Sequence, residues 1–119
     1  MNFVKRLKSI GFNPNFYLNI VKEVAEEKGY NADNLTFSTR PDKKLMYRVQ
    51  GKTIHFGATE FNDYIILMFE AHQELITERQ ADETRNRYLK RSEKIKGNWK
   101  NNDYSSNNLS RRILWASQN

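Results

Sequence analysis

Near the start of the chain, hydrophobic positions recur with a helical period. Phe3, Val4, Leu7 and Ile10 share one face, and Gly11 suits the position just past a helix end. Asn13 reads as an N-cap and Pro14 as the first residue of a second helix. That helix runs through Leu18, Ile20, Val21, Val24 and Ala25, with Gly29 as its stop. Its other face carries Lys22, Glu23, Glu26, Glu27 and Lys28, so it is amphipathic and needs a surface to cover it. The period then shortens. Leu35–Ser38 is a short strand candidate, and Arg40-Pro41-Asp42 is a turn signal. Leu45–Val49 and Thr53–Phe56 flank Gln50-Gly51, which predicts a hairpin with Gly51 supplying a positive φ. Leu45, Tyr47 and Val49 would share one face, with Ile54 and Phe56 on one face of the partner strand.

Helical patterns return after the connection Gly57–Glu60. Asp63 can cap a helix over Tyr64–Ile76, which is apolar on most sides. Gln80–Glu83 reads as a break or a fresh start, with acids at the positive end of the helix dipole. The next helix is expected over Asp82–Lys96, with Gly97 ending it. A last short helix is expected from Asn108 or Ser110 to about Trp115. The expected class is α+β: N-terminal helices, a small antiparallel hairpin or sheet, then C-terminal helices.

Composition narrows this picture. The chain has 119 residues, which suits a single small domain over 1–119. Within it, 1–44 reads as an N-terminal helical module and 45–119 as the hairpin plus basic C-terminal helices. Hydrophobic residues make up 38% and mean hydropathy is −0.87, lean for a core, although 13% aromatic residues add large buried areas. The absence of cysteine excludes disulfides and thiolate metal sites. No apolar run approaches the ~18 residues of a membrane span, and no signal-peptide core is present at the start, so no membrane partner is expected.

Charge is distributed unevenly. From Arg85 to Arg112 there are nine Lys/Arg against Glu93 and Asp103, nine minus two or +7, whereas the chain as a whole is +6. Basic and aromatic residues interleave here: Arg85, Arg87, Tyr88, Lys90, Arg91, Lys94, Trp99, Tyr104, Arg111, Arg112, Trp115. Such a strip suits a polyanion or an acidic protein surface. The plain alternative is a solvated charged face. Trp99, Tyr104 and Trp115 suit base stacking, but aromatic residues more often anchor a core or an interface.

Catalytic chemistry finds no support in these motifs. His55 and His72 are the only histidines, and neither has an acid or histidine at ligand spacing. Each reads as a packed or hydrogen-bonded histidine. Asp82 and Glu83 are helical neighbours that point apart and suit ion pairing. The glycines are dispersed and form no phosphate-binding loop. No catalytic residue, metal site or cofactor is expected, and the chain is not expected to be an enzyme.

Several blocks of the second half carry a resemblance. They are Lys52-Thr53-Ile54-His55-Phe56-Gly57-Ala58, then Asp63-Tyr64, then Glu83-Thr84-Arg85-Asn86-Arg87-Tyr88-Leu89-Lys90-Arg91, then Trp99, and finally Ser110-Arg111-Arg112-Ile113-Leu114-Trp115. In their residues and order they resemble a small basic protein family of unknown function found in tailed phages and large DNA viruses. The chain differs in inserting Ile65–Gln80, in having Ser92 where the family commonly has His, and in its first 44 residues. The resemblance implies a small virion-associated protein and no known reaction.

The expected function is a structural or accessory role in a phage or virus particle, located in the virion and in the host cytoplasm during assembly, in multiple copies. Leu67, Phe69, Trp99, Tyr104 and Trp115 are the expected contacts to capsid, portal or tail-connector subunits. Arg85, Arg87, Lys90, Arg91, Lys94, Arg111 and Arg112 are expected to meet acidic subunits or packaged DNA, the latter through phosphates and without sequence preference. The alternative is a non-specific nucleic-acid-binding protein acting in the infected cell.

Overall fold

The fold is α+β, with a three-stranded antiparallel sheet between helices at both ends. The structure is a computed structural model, described here for residues 2–116. Helix α1 spans Phe3–Ser9 and α2 spans Pro14–Glu27. Asn13 caps α2 by accepting from the amides of Asn15 and Phe16 at 2.9 and 3.1 Å, with Pro14 in the first turn. Their buried faces carry Phe3, Leu7, Tyr17, Val21 and Ala25.

Strands β1 (Leu35–Phe37), β2 (Lys43–Val49) and β3 (Lys52–Ala58) lie in the order β1-β2-β3. Gln50 and Gly51 both take positive φ, 52° and 76°, which closes a two-residue turn between Val49 and its partner Lys52. The register sets Leu45 between Phe37 and Phe56, and Tyr47 between Leu35 and Ile54. Leu35, Leu45, Tyr47 and Phe56 are buried, as the alternation predicts. Strand β2 begins two residues earlier than its apolar pattern. Lys43 and Lys44 read as polar, yet Lys44 is buried through an ion pair described below.

Helix α3 spans Tyr64–His72, four residues shorter than expected. Helices α1 and α2 stop at Gly11 and Gly29, whereas α3 stops at Glu74, with φ 62°. The Leu75 amide reaches back to the Glu70 carbonyl at 3.0 Å, and the Glu74 amide to that of Ala71 at 3.0 Å, a left-handed helix closure normally built on glycine. Helix α4 spans Glu78–Glu93, starting four residues before the expected Asp82. Thr77 and Gln80 form a reciprocal capping box that fixes this start.

The chain ends in a short helix α5 (Ser106–Leu109) that continues into a π-helical turn, Ser110–Leu114. That turn packs against α2 and β3. One hydrophobic cluster therefore runs from Phe3 and Tyr17 through Leu45 and Phe56 to Ile113 and Trp115. The boundary expected at residue 44 falls inside β2 and within this continuous core.

Candidate functional site

The anchor beside the candidate site is a buried charge pair. Asp63 caps α3 by accepting from the Ile66 amide at 2.9 Å. Its second oxygen accepts from Lys44 Nζ at 2.8 Å and from the Tyr17 hydroxyl at 2.6 Å. All three residues are fully enclosed. Burial pulls the Lys44 amine below its ordinary value against the opposing pull of Asp63, and burial together with Asp63 raises the Tyr17 phenol well above its own. Isolated charges would be costly here, but each member has a partner, so the trio ties β2 and α2 to the start of α3.

Next to this anchor, β3 passes very close to the C-terminal turn. Gly57 has φ 82°, and a Cβ there would stand 2.6 Å from Leu114 Cδ1 and 3.3 Å from Lys44 Cβ. Only a residue without a side chain lets the two segments meet this closely. Helix α4 completes the enclosure. Tyr88 stacks on Trp115 with ring centroids 4.1 Å apart at 11°.

These elements surround a cleft of about 630 Å³. Its apolar surfaces come from Leu67 of α3, Tyr88 of α4, and Leu114 and Trp115 at the C-terminal end. Phe61 and Ile95 stand at its mouth and are 58% and 53% exposed. Besides Lys44, which is paired with Asp63, its charged lining comes from Lys43, Arg87 and Arg91. Arg91 lies over the Tyr88 ring at 5.8 Å, and Arg87 donates to Thr84 Oγ1 at 3.0 Å. Among the described residues, none of these three cations belongs to an ion pair. An open apolar cleft with unpaired cations on its lining suits a segment that carries both apolar and acidic side chains.

Seven of the nine basic residues of the strip, those expected to meet a partner, thus fall into three groups. Arg87 and Arg91 line the cleft. Lys90 and Lys94 are exposed on the outer side of α4. Arg85, Arg111 and Arg112 are bonded to other parts of the fold and work as struts. Arg85 Nε donates to the Trp115 carbonyl at 2.7 Å, and its guanidinium lies 5.6 Å from the Tyr64 ring centre. Arg111 donates to the Leu89 carbonyl at 2.7 Å and to the Ser92 hydroxyl, and pairs with Glu93 at 3.1 Å. Arg112 pairs with Asp103 at 2.8 Å and reaches the Tyr30 hydroxyl at 3.4 Å.

The expected partner-binding residues divide as well. Leu67 and Trp115 are 8% and 7% exposed, and what each still presents faces the cleft. Phe69 stacks on Phe12 at 4.2 Å, away from the cleft, as an internal contact between α3 and the α1–α2 connection. Trp99 is half-buried, with Arg111 and Lys100 each 5.5 Å from its ring centre. Tyr104 is exposed on a separate face, parallel to Tyr47 at 5.7 Å.

The polar run around Tyr104 is tightly braced. The Asn108 side-chain amide donates to the carbonyls of Trp99 and Asn102 at 2.7 and 2.9 Å, and Ser105 Oγ donates to Trp99 at 3.0 Å. Lys43 and Phe61 are among the cleft residues that the sequence did not single out. Lys43 sits before the recognisable part of its strand, and Phe61 is a lone aromatic in a polar connection. That isolation was the available signal for Phe61.

His55 is hydrogen-bonded through Nδ1 to Ser38 at 2.6 Å, as expected for a structural histidine, whereas His72 is exposed at the end of α3. Among the described residues, no cluster of three or more His, Cys, Asp or Glu could hold a metal ion, and no helix is long and apolar enough to cross a membrane. Comparison with protein-family profiles, with curated proteins and with solved structures finds no match.

Proposed function

We propose that this chain is a non-enzymatic accessory protein of a virus particle, and that the cleft is where it docks on another subunit. The observation that carries this reading is convergence. The blocks that resemble the viral family lie far apart in sequence, yet the cleft takes Gly57 and Ala58 from the first, Arg87, Tyr88 and Arg91 from the α4 block, and Ser110, Leu114 and Trp115 from the last. Asp63 and Tyr64 stand just behind, one in the buried ion pair and the other bonded to Asp82 at 2.6 Å. The partner segment would place apolar side chains against Leu67, Tyr88 and Leu114 and carboxylates against Arg87, Arg91 and Lys43.

The experiment compares particles carrying the wild-type chain with particles carrying Arg87→Glu/Arg91→Glu. After a high-salt wash and nuclease treatment, copy number is measured by mass spectrometry. Fixed stoichiometry for the wild type and loss of the variant, with the isolated variant still folded, is the expected result. Absence of the wild type from washed particles, with abundance in the infected-cell cytosol, overturns the virion assignment. Undiminished incorporation of the variant overturns the cleft as the contact.

A further inference from the structure

The face of the molecule opposite the cleft flank of α4 holds features that docking in the cleft leaves unused. A concavity of about 500 Å³ is lined by Lys28, Arg85, Arg111 and Arg112, together with Leu89 and Asn108. Among the described residues, no acid lines it. The three guanidiniums are held in place by the bonds already described, and each keeps N–H donors unused. Arginines fixed in this way lose little side-chain freedom when they engage an oxyanion. Two of them are partly neutralised, Arg111 by Glu93 and Arg112 by Asp103. Arg85 and Lys28 make no ion pair among the described residues.

An aromatic platform adjoins this concavity. Tyr30 joins the two: its hydroxyl contacts Arg112 and donates to the Asp103 carbonyl at 2.7 Å, and its ring meets those of Tyr47 and Tyr104 edge-on at 5.7 and 6.0 Å. Of the three aromatic residues suited to stacking, Trp115 is buried on Tyr88 and Trp99 is flanked by two cations. Tyr104 alone pairs a firm backing, the parallel Tyr47 ring, with 37% exposure.

We propose that this face binds single-stranded nucleic acid, with a phosphodiester seated among Lys28, Arg85 and Arg112 and the adjoining base stacked on Tyr104. A stacking platform beside a basic groove is the arrangement that accepts single strands without sequence preference. A duplex keeps its bases stacked on one another and offers no free face to Tyr104. Asp103 bears on the same point. Its carboxylate, 66% exposed, holds Arg112 and competes with an incoming phosphate.

The test is fluorescence anisotropy of the full chain with a labelled oligo(dT) of about twelve nucleotides, within the usual site range, and with a duplex of equal length. The single strand is expected to bind more tightly. Tyr104→Ala should weaken it about tenfold, as for loss of one base–aromatic stack, whereas Tyr104→Phe should keep it. Lys28→Gln and Arg112→Gln should each lower the log–log salt slope by about 0.7. Asp103→Asn should tighten binding. Arg87→Gln/Arg91→Gln should leave it unchanged, so this result is independent of the cleft. No binding at low salt overturns the proposal. So does equal binding of duplex with no effect of Tyr104→Ala. A loss in Lys90→Gln/Lys94→Gln equal to that in Lys28→Gln/Arg112→Gln places the contact on the outer side of α4 and also overturns it.

Discussion

On one flank of α4, Arg87 and Arg91 reach over an apolar cleft and, among the described residues, meet no acid. On the other flank, Arg85 and Arg111 are fastened to main-chain carbonyls of distant segments, and Arg112 to Asp103 and Tyr30. The residue type is the same and the wiring is opposite. A guanidinium bonded to a carbonyl of a distant segment supports the fold, because removing it takes away a charge-assisted hydrogen bond between the two segments. A guanidinium over an apolar surface with no acidic partner adds little to stability and offers its whole charge to a ligand, whereas a strut offers only the N–H groups that its bonds leave free. Net charge alone does not separate these roles. The partners of each group do.

The comparison can be broken most forcefully at Trp115, which belongs to both flanks. Its ring stacks on Tyr88 at the cleft, and its carbonyl holds Arg85. Trp115→Ala should cost about 4 kcal/mol in urea unfolding, as for a large buried aromatic. A cost below about 1 kcal/mol would show that the flanks are not tied together there. Gly57→Ala should cost about 2 kcal/mol, because the new Cβ meets Leu114 in a left-handed backbone conformation. Its melting temperature should fall accordingly.

Arg111→Gln removes charge-assisted bonds to Leu89 and Ser92 and should destabilise by about 1–2 kcal/mol. Arg87→Gln/Arg91→Gln should change stability by less than about 0.5 kcal/mol, as for exposed positions. If that pair proved as destabilising as Arg111→Gln, the division between the two flanks would fail.

Much of the fold was legible because local signals and burial agree. Asn13-Pro14 opens α2 and Gly29 closes it, Gln50-Gly51 turns the hairpin, and Asp63 caps α3. The end of α3 was not legible. Its closure uses Glu74 where the eye looks for glycine, so the apolar pattern through Leu75 and Ile76 carried the expectation onward, although Leu75 is 68% exposed. The start of α4 was marked by Thr77 and Gln80, three apart, a signal overshadowed by the acids at Asp82 and Glu83. No local pattern marked Lys44 for burial, because its partner Asp63 lies 19 residues away. The basic strip was visible as composition. Its division was not, since Arg85 finds its carbonyl 30 residues on and Arg111 finds its own 22 residues back. Such pairings are set by how α4 crosses the C-terminal turn, and no local pattern encodes that crossing.

The cleft is tested most directly by a ¹⁵N–¹H NMR titration of the full chain with two peptides of equal length. Both carry Leu and Phe anchors, flanked in one by Asp and Glu and in the other by Lys. The acidic peptide should shift the amides of Leu67, Tyr88 and Ile95 and the indole of Trp115. It should bind several-fold more weakly to Arg87→Gln/Arg91→Gln, in keeping with the loss of rim charges. Shifts confined to Lys90 and Lys94 with none at Leu67 or Trp115, or equal binding of the Lys-flanked peptide, would contradict a cleft built for an acidic, apolar partner.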